Sequence, residues 1–445
     1  MTSPQTPAPN RPTPNRPAPT RTSRIRPDQM TTTWMLLALA AIAVGQFAKD
    51  AIPQVWWTTI HLVTLGVLSN SILQWSWHFA RALLRLPADN KHANQHQRLR
   101  QLLCNIALVG LIAAMWTSHA TATIIGAGAI GAILAWHAVG LIIVLREKFG
   151  SRFAIVIRYY VVAAFALVAG CVYAGFITVA MFSADVPQWI LDFRSDLTLA
   201  HGLVNVAGWV GLSIAGTLVT LWPTVLRTRM EPDAAIAAIR ALPFITGGLI
   251  LAVLAASFGW LPLAGFGLLV YVGALGWGVG LPIFRTVLRR RPNSYPSWNI
   301  ALGVTWIGVG LVILAIQMFL APSADAWRDT NTAILALIGA GGLLQVLMGA
   351  LAYLMPVVIG GGAVPVRLGN HLVGVGGVLR VSLRNAALLF GFLITTTASS
   401  PPEVSRLWWL VLIATYGADV VGLAVAGVKQ SRARNSLAVS GGNDE

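Results

Sequence analysis

DLTLAHGLVNVAGWVGLSIAGTLVTLWPTVLRTR, residues Asp196 to Arg229, is the stretch on which the fold turns. An apolar run of about 20 residues matches a hydrocarbon core about 30 Å thick, so the stretch predicts a membrane-spanning helix. It is not a plain anchor. At roughly 100° per residue, His201, Asn205, Gly208 and Leu212 fall along one stripe, with Gly216 beside it. Ionisable groups inside a bilayer are costly and face a bundle interior or a site. The alternative is that His201 stands at the helix mouth in interfacial water.

The rest of the chain has the same character. Apolar residues make up 56% of the 445 and charged residues 10%, against about 25% charged in a soluble domain. With a mean hydropathy of +0.70, the chain reads as an all-α, polytopic integral membrane helix bundle. Cys104 and Cys171 both lie in apolar runs and read as buried thiols, not a disulfide or a metal clip. The first apolar run has no clear small-residue cleavage motif, so no cleavable signal peptide is expected.

Residues 1–30 hold eight prolines and five arginines, too little apolar surface to fold, and read as a disordered cytoplasmic tail. Twelve spans follow within 31–428, near 33–50, 56–79, 99–118, 121–145, 155–182, 198–222, 236–257, 259–283, 298–320, 330–356, 378–399 and 404–427. Residues 429–445 form a short cytoplasmic tail. With both termini inside, 27 of the 31 Lys and Arg fall in the tails, the inner loops or the inner span ends. Only Lys49, Arg194, Arg328 and Arg406 fall outside, and one span more or fewer would scramble the alternation. The formal charge of +16 therefore follows membrane sidedness, and no nucleic-acid partner is expected; the lipid bilayer is the partner. Trp residues such as Trp56, Trp57, Trp116 and Trp260 sit near span ends, where amphipathic rings favour the interface. The glycine-rich IGGGAVPVRLGNHLVGVGG after span ten lacks GxxxxGK[ST] and a preceding strand, and reads as a flexible or re-entrant inner loop.

Topology makes depth readable. His61 and His201 lie about two turns or less inside the outer ends of spans two and six, and His119 sits in the outer turn between spans three and four. Met115, Met181 and Met318 come near the same level. Imidazole suits haem iron and copper, and thioether suits Cu(I). His61 and His201 are therefore candidate cofactor ligands, with His119 and Met115 as weaker metal candidates. No two of these histidines form an HxxxH or HxH pair. Deeper lie Asp419 in span twelve, Arg384 in span eleven and His137 in span four, each roughly 9–12 Å from an inner helix end. A buried acid needs a partner, and Arg384 is the nearest candidate. Either a structural ion pair or a proton or ion path would explain them.

Two segments, HLVTLGVLSNSILQWSWHFARALLR (61–85) and AHGLVNVAGWVGLSIAGTLVTLWPTVLRTR (200–229), resemble the polytopic membrane region of actinobacterial multicopper-oxidase and copper-nitrite-reductase-like proteins. More distantly they resemble haem–copper oxidase subunit I and NnrS-type membrane proteins. The resemblance implies haem or copper bound by span histidines, with His61 and His201 at the recurring positions, in a bacterial plasma membrane. It departs in span six, where the second histidine of HAHxN is Leu203. Span seven has no adjacent His pair, and span ten has no histidine. The implied role is electron transfer or metal handling, not oxygen reduction. No cupredoxin domain is expected after Gly427, so any copper catalysis would belong to an external copper enzyme. The rival expectation is a secondary transporter built on Asp419 and Arg384, although no clear match relates the two six-span halves.

Overall fold

The computed structural model describes residues 29–397 and 402–440, and these are helical throughout apart from turns and short connections. With no water to satisfy backbone groups in a bilayer, long apolar runs close their hydrogen bonds internally. Eleven helices among the described residues are long and apolar enough to cross a membrane. In chain order the long helices are α1 (Gln29–Phe47), α2 (55–84), α3 (Gln95–Trp116), α4 (Ala120–Glu147), α5 (Ala154–Phe182) and α6 (Arg194–Val225). They continue as α7 (Ala234–Ser257), α8 (Leu261–Arg289), α9 (Tyr295–Leu320), α10 (324–359), α11 (Gly377–Thr397) and α12 (Pro402–Ser440). All but α2 carry one of the eleven apolar spans. Helix α2 is continuous over a predicted span but more polar, carrying His61, Asn70, Ser71, Gln74, Ser76, His78 and Arg81.

Helix starts follow the local chemistry. Ser294 begins α9 with a reciprocal capping box to Ser297, and Ser323 accepts from the Ala326 N–H at 3.2 Å to open α10. One connection is more ordered than a flexible loop. The glycine-rich loop is not irregular: Gly360, Gly361 and Gly362 take φ of 66°, 98° and 89°, a region only glycine enters freely. They turn the chain into a helix, Ala363–Gly374, lying against α10 and α12. Residues 429–440 continue the last helix. No Gly or Pro interrupts them, so α12 runs on to Ser440. There Gln430 is buried and donates to Pro356 O at 2.7 Å, and Arg434 donates to Ile359 O at 3.0 Å. The expected disordered tail, residues 1–30, falls almost entirely outside the described residues.

Helix ends that charge assigns to one side meet one another. Trp116 donates to Thr58 at 2.9 Å and Ser195 to Asp325 at 2.7 Å at one end. At the other, Arg290 donates to Arg227 O at 2.9 Å and Arg289 pairs with Glu231 at 3.0 Å. Cysteines introduced one at a time at 185–196 or 323–331 are expected to react with an impermeant thiol reagent applied to intact cells. Cysteines at 88–97 or 286–295 should react only after permeabilisation. The reverse pattern would invert the orientation.

Four helices loosen from α to π hydrogen bonding in mid-course. The stretches of eight residues are Leu62–Ser69 in α2, Val204–Gly211 in α6 and Leu337–Leu344 in α10, with a shorter one at Gly276–Gly280 in α8. The three long ones recur every fourth helix, and each packs on the helix before it, α1, α5 and α9. The periodicity is therefore four helices, not six. π segments are uncommon and concentrate at functional sites.

Candidate functional site

His61 is the last residue before the π stretch of α2, and His201 stands three residues before that of α6. The two helices bring the imidazoles together: their ring centroids are 6.4 Å apart and their planes differ by 29°. Each ring is oriented by a backbone carbonyl. His61 Nδ1 lies 2.8 Å from Trp57 O on its own helix, and His201 Nδ1 lies 3.0 Å from Gly170 O on α5. A carbonyl only accepts, so Nδ1 carries a proton in both rings; in the neutral form Nε2 then offers a lone pair, which in His201 lies 3.2 Å from the Asn205 amide nitrogen. A metal-binding imidazole is commonly oriented in the same way, through its other nitrogen.

The surroundings hold this arrangement. The Trp57 indole stacks on His61 with centroids 4.0 Å apart and planes 21° apart. One turn beyond His201, the Asn205 amide nitrogen is 3.2 Å from both ring nitrogens and 2.9 Å from His201 O. Asn205 Oδ1 is buried with no hydrogen-bond partner. Gly170 has to be glycine because a Cβ there would overlap the Asn205 amide. Gly170→Ala is therefore expected to cost about 1–3 kcal/mol through overpacking, read as a lowered melting temperature. Adding Asn205→Ala should restore most of the loss, and a double variant no better than Gly170→Ala would separate the clash from this site.

Below the pair, side chains satisfy the carbonyls that the π turns release. Ser69 donates to Thr64 O at 2.8 Å and Asn70 to Gly66 O at 2.9 Å, while Trp209 of α6 donates to Ser69 at 2.8 Å. Tyr271 of α8 reaches Ala207 O at 2.8 Å, and Tyr416 of α12 reaches Ala340 O. Trp209, Ser69 and Tyr271 thus fix the two histidine helices against each other and against α8. Sequence reasoning passed over them because a π turn leaves no hydrophobic period; the only signal is the density of Gly, Ser and Asn in LVTLGVLSN and VNVAGWVG.

The weaker metal candidates lie apart. His119 caps α4, its Nδ1 accepting from the Ala122 N–H at 3.3 Å. The Met115 side chain is buried, and its carbonyl accepts from Gln54 at 3.3 Å. Among the described residues no group of three or more His, Cys, Asp or Glu is placed to hold an ion. At the pair, His61 and His201 are the two candidate ligands of these residue types.

The deeper polar residues divide between two clusters. Asp419 does pair with Arg384, at 2.5 Å, and also with Arg380, at 2.5 Å, and it accepts from the Tyr295 hydroxyl. Arg384 is buried and donates as well to Asn299 at 3.0 Å and Thr415 O at 3.2 Å, with the Tyr416 ring beneath it. His137 is not a member. It accepts from Trp77 Nε1 at 3.1 Å and faces the Ser76 hydroxyl at 3.3 Å, between α2 and α4.

No protein-family model matches this chain, and no curated protein matches it significantly.

Proposed function

We propose that the chain is a haem–copper-oxidase-like protein of a bacterial plasma membrane that binds haem iron or copper through His61 and His201. Both termini are cytoplasmic, twelve spans cross the bilayer, and the site lies near the outer leaflet. One observation carries the reading: two imidazoles from helices far apart in sequence lie with centroids 6.4 Å apart and both Nδ1 atoms against carbonyls. An ion held by both rings through metal–nitrogen bonds of about 2.0–2.1 Å would need the two imidazoles at close range, and their centroids are 6.4 Å apart. The partnerless Asn205 Oδ1 beside His201 fits a site whose amide turns when an ion takes the imidazole lone pair.

When bound, the ion would supply one-electron redox chemistry. The chain's own residues hold and orient it: Trp57 covers one face of His61, and Asn205 and Gly170 fix His201. Among the described residues no third His, Cys, Asp or Glu joins the pair, which favours electron transfer or metal handling over oxygen reduction, with an external copper enzyme as the partner. The transporter reading has less support, because Asp419 is saturated by two guanidiniums and a hydroxyl, as a static clamp would be. Purified protein is expected to show a Soret band or about one copper per chain. A colourless, metal-free protein that stays metal-free after incubation with haem and with Cu(I) would overturn the proposal.

A further inference from the structure

At the basic end of the bundle, away from the histidine pair, Arg100 of α3 has 0% of its surface exposed. Among the described residues no carboxylate comes within 4.0 Å of it, since every such ion pair involves other arginines. Its guanidinium lies between two indoles, 4.8 Å from the Trp77 ring and 5.2 Å from the Trp136 ring. It donates to His92 O at 2.6 Å and to Trp136 O at 3.4 Å, while its Nε is buried without a partner. Carbonyls and ring faces soften a buried charge but do not neutralise it.

The neighbours also leave buried nitrogens without hydrogen-bond partners. His92 Nδ1 and His96 Nδ1 are buried without partners, and their rings sit 5.1 Å apart, against Trp77 and Trp136 respectively. Arg81 Nε is another unpartnered donor at this end. Gly140 of α4 lets this cluster pack closely: a Cβ there would stand 2.8 Å from Arg100 Nη1, 3.1 Å from the Trp77 ring and 3.5 Å from His92 Nδ1. Burial, then His96 and Arg100, hold the His92 imidazole below its usual range against the opposing pull of Glu147.

We propose that Arg100, His92 and His96, where α2, α3 and α4 meet, form a binding site for a phosphoryl oxyanion. A guanidinium suits phosphate oxygens in charge and in the spacing of its donors. Basic pockets between spans on a cytoplasmic face take anionic lipid headgroups. The same chemistry fits free phosphate. This inference does not depend on the proposed redox role.

The test uses full-length protein in detergent, washed free of lipid, with thermal unfolding followed at matched ionic strength. Inorganic phosphate and dihexanoyl phosphatidylglycerol are each compared with sodium chloride, and dihexanoyl phosphatidylcholine serves as the zwitterionic control. A ligand held only by the folded state raises the melting temperature with its concentration. A rise of several degrees with inorganic phosphate supports the site with free phosphate as its ligand. A rise with phosphatidylglycerol alone supports it with a lipid headgroup. The double variant His92→Ala, His96→Ala keeps the His92 carbonyl that Arg100 uses, and should fold yet lose at least half of the rise; Arg100→Gln should lose it all. No rise over chloride with either probe, or a full rise in the double variant, would overturn the proposal.

Discussion

Asp419→Asn is expected to be the most destabilising single polar substitution in the bundle. The carboxylate is the only acid in a cluster that holds Arg380 and Arg384, with side-chain exposures of 2%, 10% and 0%. One negative and two positive charges leave a net charge of +1, and removing the acid leaves +2 with no carboxylate partner. Breaking a buried pair in this way costs about 3–5 kcal/mol. The loss is read as a fall in melting temperature and in folded yield from detergent. Arg380→Gln should cost less, because it leaves a neutral Asp419–Arg384 pair. Adding Arg384→Gln to Asp419→Asn should recover part of the loss, and adding Arg380→Gln as well should recover more. If the triple variant is as unstable as the sum of its singles, the three residues do not act as one charge cluster.

That cluster shows how far sequence could be read. Asp419 and Arg384 are legible as partners because an acid in an apolar run demands a cation at its own depth. Arg380 lies one turn nearer the basic end and merges with the inner-side arginines, so its second ion pair is not legible. The spans are legible to within several residues, since length and apolarity are local properties, although α8 runs to Arg289 and α12 to Ser440; α2 shows the limit, its polar residues placing it outside the eleven apolar spans although it is helical over its whole length. The meeting of His61 and His201 rests on α2 packing near α6, 140 residues on. Sequence shows only that the two rings share a depth. Arg100 and the histidines around it are legible only as basic residues at an inner face, because their burial depends on Trp77 and Trp136 closing from neighbouring helices. His137 was grouped with Asp419 by depth alone, and depth does not say which side of the bundle a helix occupies.

On the proposed site, His61→Ala and His201→Ala are each expected to abolish haem or copper binding almost completely while leaving a folded protein. A two-ligand site loses half its donors with either change, and its remaining imidazole keeps only the carbonyl that orients it. Folding should survive because both rings are half-buried near helix ends and neither belongs to an ion pair. His371→Ala, on the exposed face of the helix Ala363–Gly374, serves as the control and should retain the wild-type content. The decisive measurement is cofactor per folded chain, from the optical spectrum and from copper analysis of monodisperse fractions of all four proteins. Occupancy falling below about a tenth of wild type in both histidine variants, with the control unchanged, is the result expected of a shared site. Full occupancy in both histidine variants would place any cofactor elsewhere and contradict the pairing of His61 with His201 as its ligands.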